Sequence, residues 1–123
     1  MSGLRRIAVL EETPAVAPFL RGNGYGHEQG FEILEIKQVA SLLTELKRDD
    51  GIVAAVVPSP VQLADIRENG FQQLPVLVVS DDVDAQELAD MGQRSRLALK
   101  GDVRDLGHQF YRLLLDNRVY LGG

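Results

Sequence analysis

Ile52-Val53-Ala54-Ala55-Val56-Val57-Pro58-Ser59-Pro60 (IVAAVVPSP) is the stretch on which the reading of this chain turns. Its first six residues are the most apolar run in the sequence. A short, unbroken, β-branched run of this kind reads as a strand buried on both faces. It is therefore the expected central strand. Ser59 suits a helix N-cap, and Pro60 suits the first turn of that helix, where its missing N–H costs nothing. Val61, Leu63 and Ile66 are expected to face the core, and Gly70 to end the helix.

The same alternation of strand and helix runs outward in both directions. Toward the N-terminus, Ile7-Ala8-Val9-Leu10 reads as another two-faced buried strand, closed by Glu11-Glu12. Thr13 and Pro14 are helix-start residues. Pro18 predicts a first helix that is short or opens in a distorted turn, ending by Arg21. Gly22-Asn23-Gly24-Tyr25-Gly26 follows and reads as a flexible turn; its glycines match neither the dinucleotide nor the P-loop spacing. Residues 31–37 (FEILEIK) alternate apolar and charged, which predicts a strand with one wetter face near a sheet edge. Val39, Leu42, Leu43 and Leu46 recur at helical spacing, and Asp49-Asp50-Gly51 ends that helix.

Toward the C-terminus, residues 74–79 (LPVLVV) predict a fourth strand with Pro75 tolerable at its start. Residues 85–91 predict a helix stopped by Gly92, and residues 96–100 a short fifth strand. Asp102 is placed to cap a last helix with the apolar stripe Val103, Leu106, Phe110, Leu113 and Leu114. Five strand-then-helix units imply α/β class: a doubly wound parallel sheet with helices on both faces, a three-layer sandwich in one domain over 1–123. In such sheets ligands collect at the carboxyl ends of the strands.

Composition narrows the function. The chain has 123 residues, 45% of them hydrophobic, a formal net charge of −5 and no cysteine. Disulfides, thiolate chemistry and cysteine-bound zinc are excluded. No apolar run approaches the roughly 20 residues of a membrane span. The short run after Arg5-Arg6 is too brief for a signal peptide, and a cytoplasmic setting is expected. Basic residues are scattered, so direct nucleic-acid binding by this domain is not expected.

The fold-bearing segments resemble the receiver domains of two-component response regulators. Ile7-Ala8-Val9-Leu10-Glu11-Glu12-Thr13-Pro14 resembles the first strand of that family with its terminal acidic pair. Leu74-Pro75-Val76-Leu77-Val78-Val79-Ser80 resembles the fourth strand, which ends in Ser or Thr. Leu97-Ala98-Leu99-Lys100 resembles the fifth strand and its lysine, and Pro60 the proline that follows the phosphorylation site. The resemblance spans nearly the whole chain and implies a receiver/flavodoxin-like (βα)5 fold. It also implies a phosphoacceptor aspartate at the end of the third strand. That end is Ala55-Val56-Val57-Pro58-Ser59 and holds no carboxylate. The acidic pair is glutamate, Lys100 is followed by Gly101 where the family has proline, and the stretch from Pro60 to Pro75 is short. The chain thus resembles a pseudo-receiver, with a degenerate site at Glu11, Glu12, Val56, Val57, Pro58, Ser80 and Lys100. Losing the acceptor removes the nucleophile and one ligand of the near-octahedral Mg²⁺ site together.

Each polar residue there also has a plainer reading. Glu11 and Glu12 read as a solvated strand end, Ser59 as a helix cap, Ser80 as a turn cap, and Lys100 as the partner of Glu11 or Glu12. His27 and His108 have no ligand at metal spacing. No nucleophile–base pair or metal triad is visible, so neither enzyme activity nor a cofactor or metal is expected. The expected function is a phosphorylation-independent regulatory domain in signal transduction or transcription control. It would act by homodimerising or by docking a partner protein, through the face made by the 85–91 helix, the fifth strand and the last helix. Phe110, Tyr111, Leu114, Val119 and Tyr120 are the candidate contact residues. In a longer natural chain the domain is expected at the N-terminus. The alternative is a small-ligand or nucleotide sensor that binds at the strand ends.

Overall fold

The computed structural model describes residues 5–10, 16–48, 51–80, 94–99 and 101–117. Their elements, in chain order, are β1 (Arg5–Leu10), α1 (Val16–Gly22), β2 (Phe31–Ile36), α2 (Val39–Arg48), β3 (Ile52–Val57), α3 (Pro60–Glu68), β4 (Val76–Val79), β5 (Ser95–Ala98) and α4 (Val103–Asp116). The helix expected over 85–91 lies outside the described residues. The five strands form one sheet in the order β2-β1-β3-β4-β5, and every pairing is parallel. The chain moves outward from β1 to β2, then returns to β3 and proceeds the other way. The point of reversal, between β1 and β3, is where doubly wound sheets open a crevice at their carboxyl edge.

Side chains that alternate along the strands divide the core in two. Ile7, Val9, Ala54, Val56, Leu77 and Val79 pack with α1 and α4; Ala8, Leu10, Ala55, Val57, Val76 and Val78 pack with α2 and α3. This is why β1, β3 and β4 read as unbroken apolar runs: neither of their faces meets water. β2 is an edge strand, as its mixed pattern predicts. Its charged residues are paired at the surface, Glu32 with Arg6 and Glu35 with Arg21, each at 3.1 Å. Such half-exposed pairs contribute little, at most about 1 kcal/mol each.

Three local expectations are corrected. Val61 and Val103 sit in the opening turns of α3 and α4 and are 67% and 53% exposed. They fit the apolar stripe by periodicity, which does not show how much of a helix's first turn its neighbours cover. The glycine-rich turn after α1 is built, not loose. Asn23 and Tyr25 both donate their backbone N–H to the Leu20 carbonyl, at 3.1 and 3.0 Å. A short 3-10 turn, His27–Gln29, completes the link to β2. The Tyr25 ring is buried, in edge-to-face contact with Phe31 and Phe110 at centroid distances of 5.5 and 4.9 Å.

Candidate functional site

β3 delivers its last residues to the carboxyl edge of the sheet, at the position where a receiver carries its acceptor. Val56 and Val57 are fully buried there, on opposite faces of the sheet. Pro58 begins the turn and is half-buried. Ser59 occupies the N-cap position of α3 with extended backbone, and Pro60 is its first helical residue. The Ser59 hydroxyl makes no capping bond; it donates instead to Oε1 of Gln62. The capping expectation therefore holds for position and fails for chemistry. The partner of that hydroxyl is a side-chain amide, which cannot act as the base that a serine nucleophile needs.

Ser80 follows β4 and is 7% exposed. Its N–H donates to the Ala98 carbonyl at 3.0 Å, which extends the β4–β5 pairing by one rung. Glu11, Glu12 and Lys100, with Asp81 and Asp82, lie outside the described residues. The structure thus assembles Val56, Val57, Pro58 and Ser80 at one edge of the sheet. Among the described residues, no group of three or more His, Cys, Asp or Glu side chains could hold a metal ion. His27 and His108 are both exposed, one in the 3-10 turn and one on the outer side of α4.

The candidate contact residues on α4 separate into two sets. Phe110 and Leu114 are fully buried with Leu106 and Leu113, so their surface is already spent on the domain's own core. Contrary to expectation they are not contact residues: an α4 side chain that packs on the sheet cannot also reach a partner. Tyr111 is 47% exposed, and Leu115, not singled out from sequence, is 44% exposed. Val119 and Tyr120 lie outside the described residues.

The flanks of α4 differ in chemistry. At 100° per residue, Gly107 and Tyr111 share one flank. The Gly107 Cα faces α1 so closely that an added Cβ would meet the Phe19 ring at 3.2 Å. Burial, and then the Tyr111 phenol, push the Tyr25 phenol up from its ordinary pKa. The other flank is polar and bonded to β5. Arg96 Nε donates to Gln109 at 2.8 Å and Arg96 Nη1 pairs with Asp116 at 3.1 Å. The Asp105 carboxylate accepts from the Leu99 N–H at 2.7 Å, and its neighbour Asp102 caps the helix by accepting from the Arg104 and Asp105 N–H groups at 3.1 Å. The exposed tyrosine therefore lies on the α1 side of α4 and not on the side toward β5.

At the opposite, amino edge of the sheet, one side chain that sequence reasoning missed ties three segments together. Arg67, near the end of α3, donates to the carbonyls of Phe71 and Leu74 at 2.7 Å each and of Arg94 at 3.2 Å. Burial, and then the nearby Arg94 guanidinium, lower its pKa from the ordinary value. Arg94 in turn donates to Asn117 Oδ1 at 2.7 Å. No local pattern announces this chain of bonds, because its members are brought together only by the winding of the sheet. A 420 Å³ cleft beside the α1–β2 turn is lined by Arg21, His27, Glu28 and Glu32. Arg21 there is engaged by Glu35 and by the Ile33 carbonyl.

No protein-family model matches the chain, and no curated protein matches it. Solved structures do. A Francisella novicida lysine decarboxylase, LdcF, superposes with a TM-score of 0.65 at 13% identity. The superposition covers 95% of this chain and 18% of the decarboxylase, so this chain spans under a fifth of that protein's length. The signal receiver domain of a modulated diguanylate cyclase from Desulfovibrio desulfuricans G20 superposes with a TM-score of 0.63 at 14% identity, covering 94% of this chain and 98% of that one. Identities this low speak for fold alone. Together with the strand order, they establish a flavodoxin-like α/β fold of receiver type.

Proposed function

We propose that this chain is a regulatory domain of receiver type that works without phosphorylation and without enzymatic chemistry, by protein contact. One observation carries the reading: the end of β3 is Val56-Val57-Pro58, with both valines fully buried. Aspartyl-phosphate chemistry needs a carboxylate there to attack phosphorus and to help hold Mg²⁺. A buried isopropyl group does neither. Amide NMR with beryllofluoride and Mg²⁺, then with acetyl phosphate, tests the reading. The expected result is an unchanged spectrum. Reagent-specific shifts clustered at Val56, Val57 and Ser80, with Glu11, Glu12 and Lys100, would overturn it.

In this reading the output is binding, to a second copy or to another protein in signal transduction or transcription control. The outer side of α4 supports it: Tyr111 and Leu115 lie four residues apart, both half-exposed. Apolar surface of that kind on a small domain is a frequent contact site. Light scattering over a concentration series, on the parent and on Tyr111→Ser/Leu115→Ser, is the check. Self-association that the double variant loses supports a dimer through α4. A parent that stays monomeric and captures no partner sinks the contact reading.

A further inference from the structure

We propose that Asn23 is a site of spontaneous, intramolecular deamidation, and that Asn69, which has the same following residue, is protected by a single backbone hydrogen bond.

The chain contains two Asn-Gly pairs, Asn23-Gly24 and Asn69-Gly70. The structure makes them near-duplicates. Each asparagine is exposed and directly follows a helix, α1 or α3. Each Nδ2 donates to the carbonyl four residues earlier, Asn23 to Phe19 at 2.7 Å and Asn69 to Asp65 at 2.8 Å. Each glycine has a positive φ, +102° for Gly24 and +97° for Gly70, and open space where a Cβ would be. Conformation of the glycine, exposure and side-chain anchoring therefore cancel between the two.

The reacting nitrogen is where they differ. Gly70 N–H donates to the Arg67 carbonyl at 3.1 Å. Gly24 N–H donates to no acceptor among the described residues; the nearby Leu20 carbonyl is taken by Asn23 and Tyr25. Deamidation begins when solvent base removes the proton of the following amide. That nitrogen attacks the asparagine Cγ and closes a five-membered succinimide. The Cγ–Nδ2 bond breaks, and ammonia leaves with a proton from solvent. Water then opens either ring carbonyl to give aspartate or isoaspartate. A hydrogen bond from the amide holds its proton and its lone-pair direction away from the reaction, so it must break first. At Gly70 that extra step is required, and at Gly24 it is not.

The product has a structural consequence. A carboxylate at position 23 replaces a donor with an acceptor beside the Phe19 carbonyl, at the negative end of α1. Isoaspartate also lengthens the main chain by one methylene between Leu20 and Tyr25, whose N–H bond and ring contacts hold the turn. The modification thus acts on the segment that seats Tyr25 against Phe31 and Phe110.

The full 123-residue protein is incubated at mildly alkaline pH, and trypsin then separates the sites, because Arg21 and Lys37 bracket Asn23 while Arg67 and Arg94 bracket Asn69. Mass spectrometry follows amide-to-acid conversion in each peptide. Asn23 is expected to convert about fivefold faster than Asn69, the rate equivalent of one ordinary hydrogen bond. In denaturing urea the two rates should converge, since both dipeptides are Asn-Gly. Equal rates in the folded protein, a faster Asn69, or no conversion at either site would overturn the proposal. A difference that persists unchanged in urea would overturn it as well, by assigning the effect to neighbouring side chains.

Discussion

The two edges of the sheet are built by different means. At the carboxyl edge, the described part of the site is closed by packing: Val56 and Val57 are fully buried and Ser80 continues the β4–β5 ladder. At the amino edge, polar groups do the joining. Asn23, Asn69 and Asn117 each follow a helix and donate Nδ2 to the carbonyl four residues earlier, at 2.7, 2.8 and 2.8 Å. At Asp65 and Leu113 the same carbonyl also accepts the asparagine's own backbone N–H, at 3.2 Å each. Arg67 then fastens α3, the loop before β4 and the start of β5, and Arg94 continues the line to Asn117. At the carboxyl edge the end of β3 is apolar and buried, whereas the edge opposite holds a connected polar network. The lesson is that one sheet can be closed by apolar packing at the end of its central strand and by polar ties at its other edge.

Placing a carboxylate at the end of β3 is the strongest way to break this contrast. Val57→Asp buries an unpaired charge among Leu63, Ile66 and the flanking strands, and should cost about 3–5 kcal/mol in denaturant unfolding. A tolerated substitution would mean that the end of β3 is open to water and the closed-edge view is wrong.

The amino edge is tested by Arg67→Ala. Three carbonyls lose a charged donor, and the loss should be about 2–3 kcal/mol after discounting for partial exposure. Hydrogen exchange should rise in the loop before β4 and at the start of β5, with β1 and β2 little affected. A uniform change across the sheet would show that Arg67 is not a local tie.

A smaller effect, confined to alkaline solution, is expected at Tyr25. Its phenol is pushed up from the ordinary 10.0, first by burial and then by Tyr111. The folded state therefore holds that proton more tightly than the unfolded chain does. Its stabilising contribution is complete below pH 10.0 and is lost as pH rises from there through the folded pKa. Tyr25→Phe should flatten that decline relative to the parent in thermal melts. Parallel profiles for the two proteins would place the phenol in water.

The smallest expected effect is at Ser59. Its hydroxyl bonds to the Gln62 side chain and caps no backbone N–H. Ser59→Ala should change stability by less than about 0.5 kcal/mol, against about 1 kcal/mol for loss of a working cap. A value near the larger figure would restore the capping role read from sequence.

Much of this molecule was legible in the amino-acid order. Unbroken β-branched runs at 7–10, 52–57 and 76–79 can only bury both faces, and their alternation with helical spacing dictates a parallel sheet between helix layers. The missing carboxylate at the end of β3 is equally plain, since it is a matter of residue type. Periodicity alone does not show how far each stripe is covered: Val61 and Val103 fit it and lie exposed. Nor does it show that Phe110 and Leu114 are taken by the domain's own core and not left for a partner. Tyr25 looked like part of a loose glycine turn, because its partners Phe31 and Phe110 are in another strand and another helix. Arg67 had no signal at all: its acceptors are backbone carbonyls, which every sequence possesses. What the sequence by itself determined was which elements form and which residue types stand at the end of the third strand, because propensity, burial pattern and residue type are local properties. Only the tertiary structure decided which apolar side chains are spent, which flank of α4 shows Tyr111, and which glycine amide finds no acceptor among the described residues. Those depend on what long-range winding brings within hydrogen-bonding or packing distance.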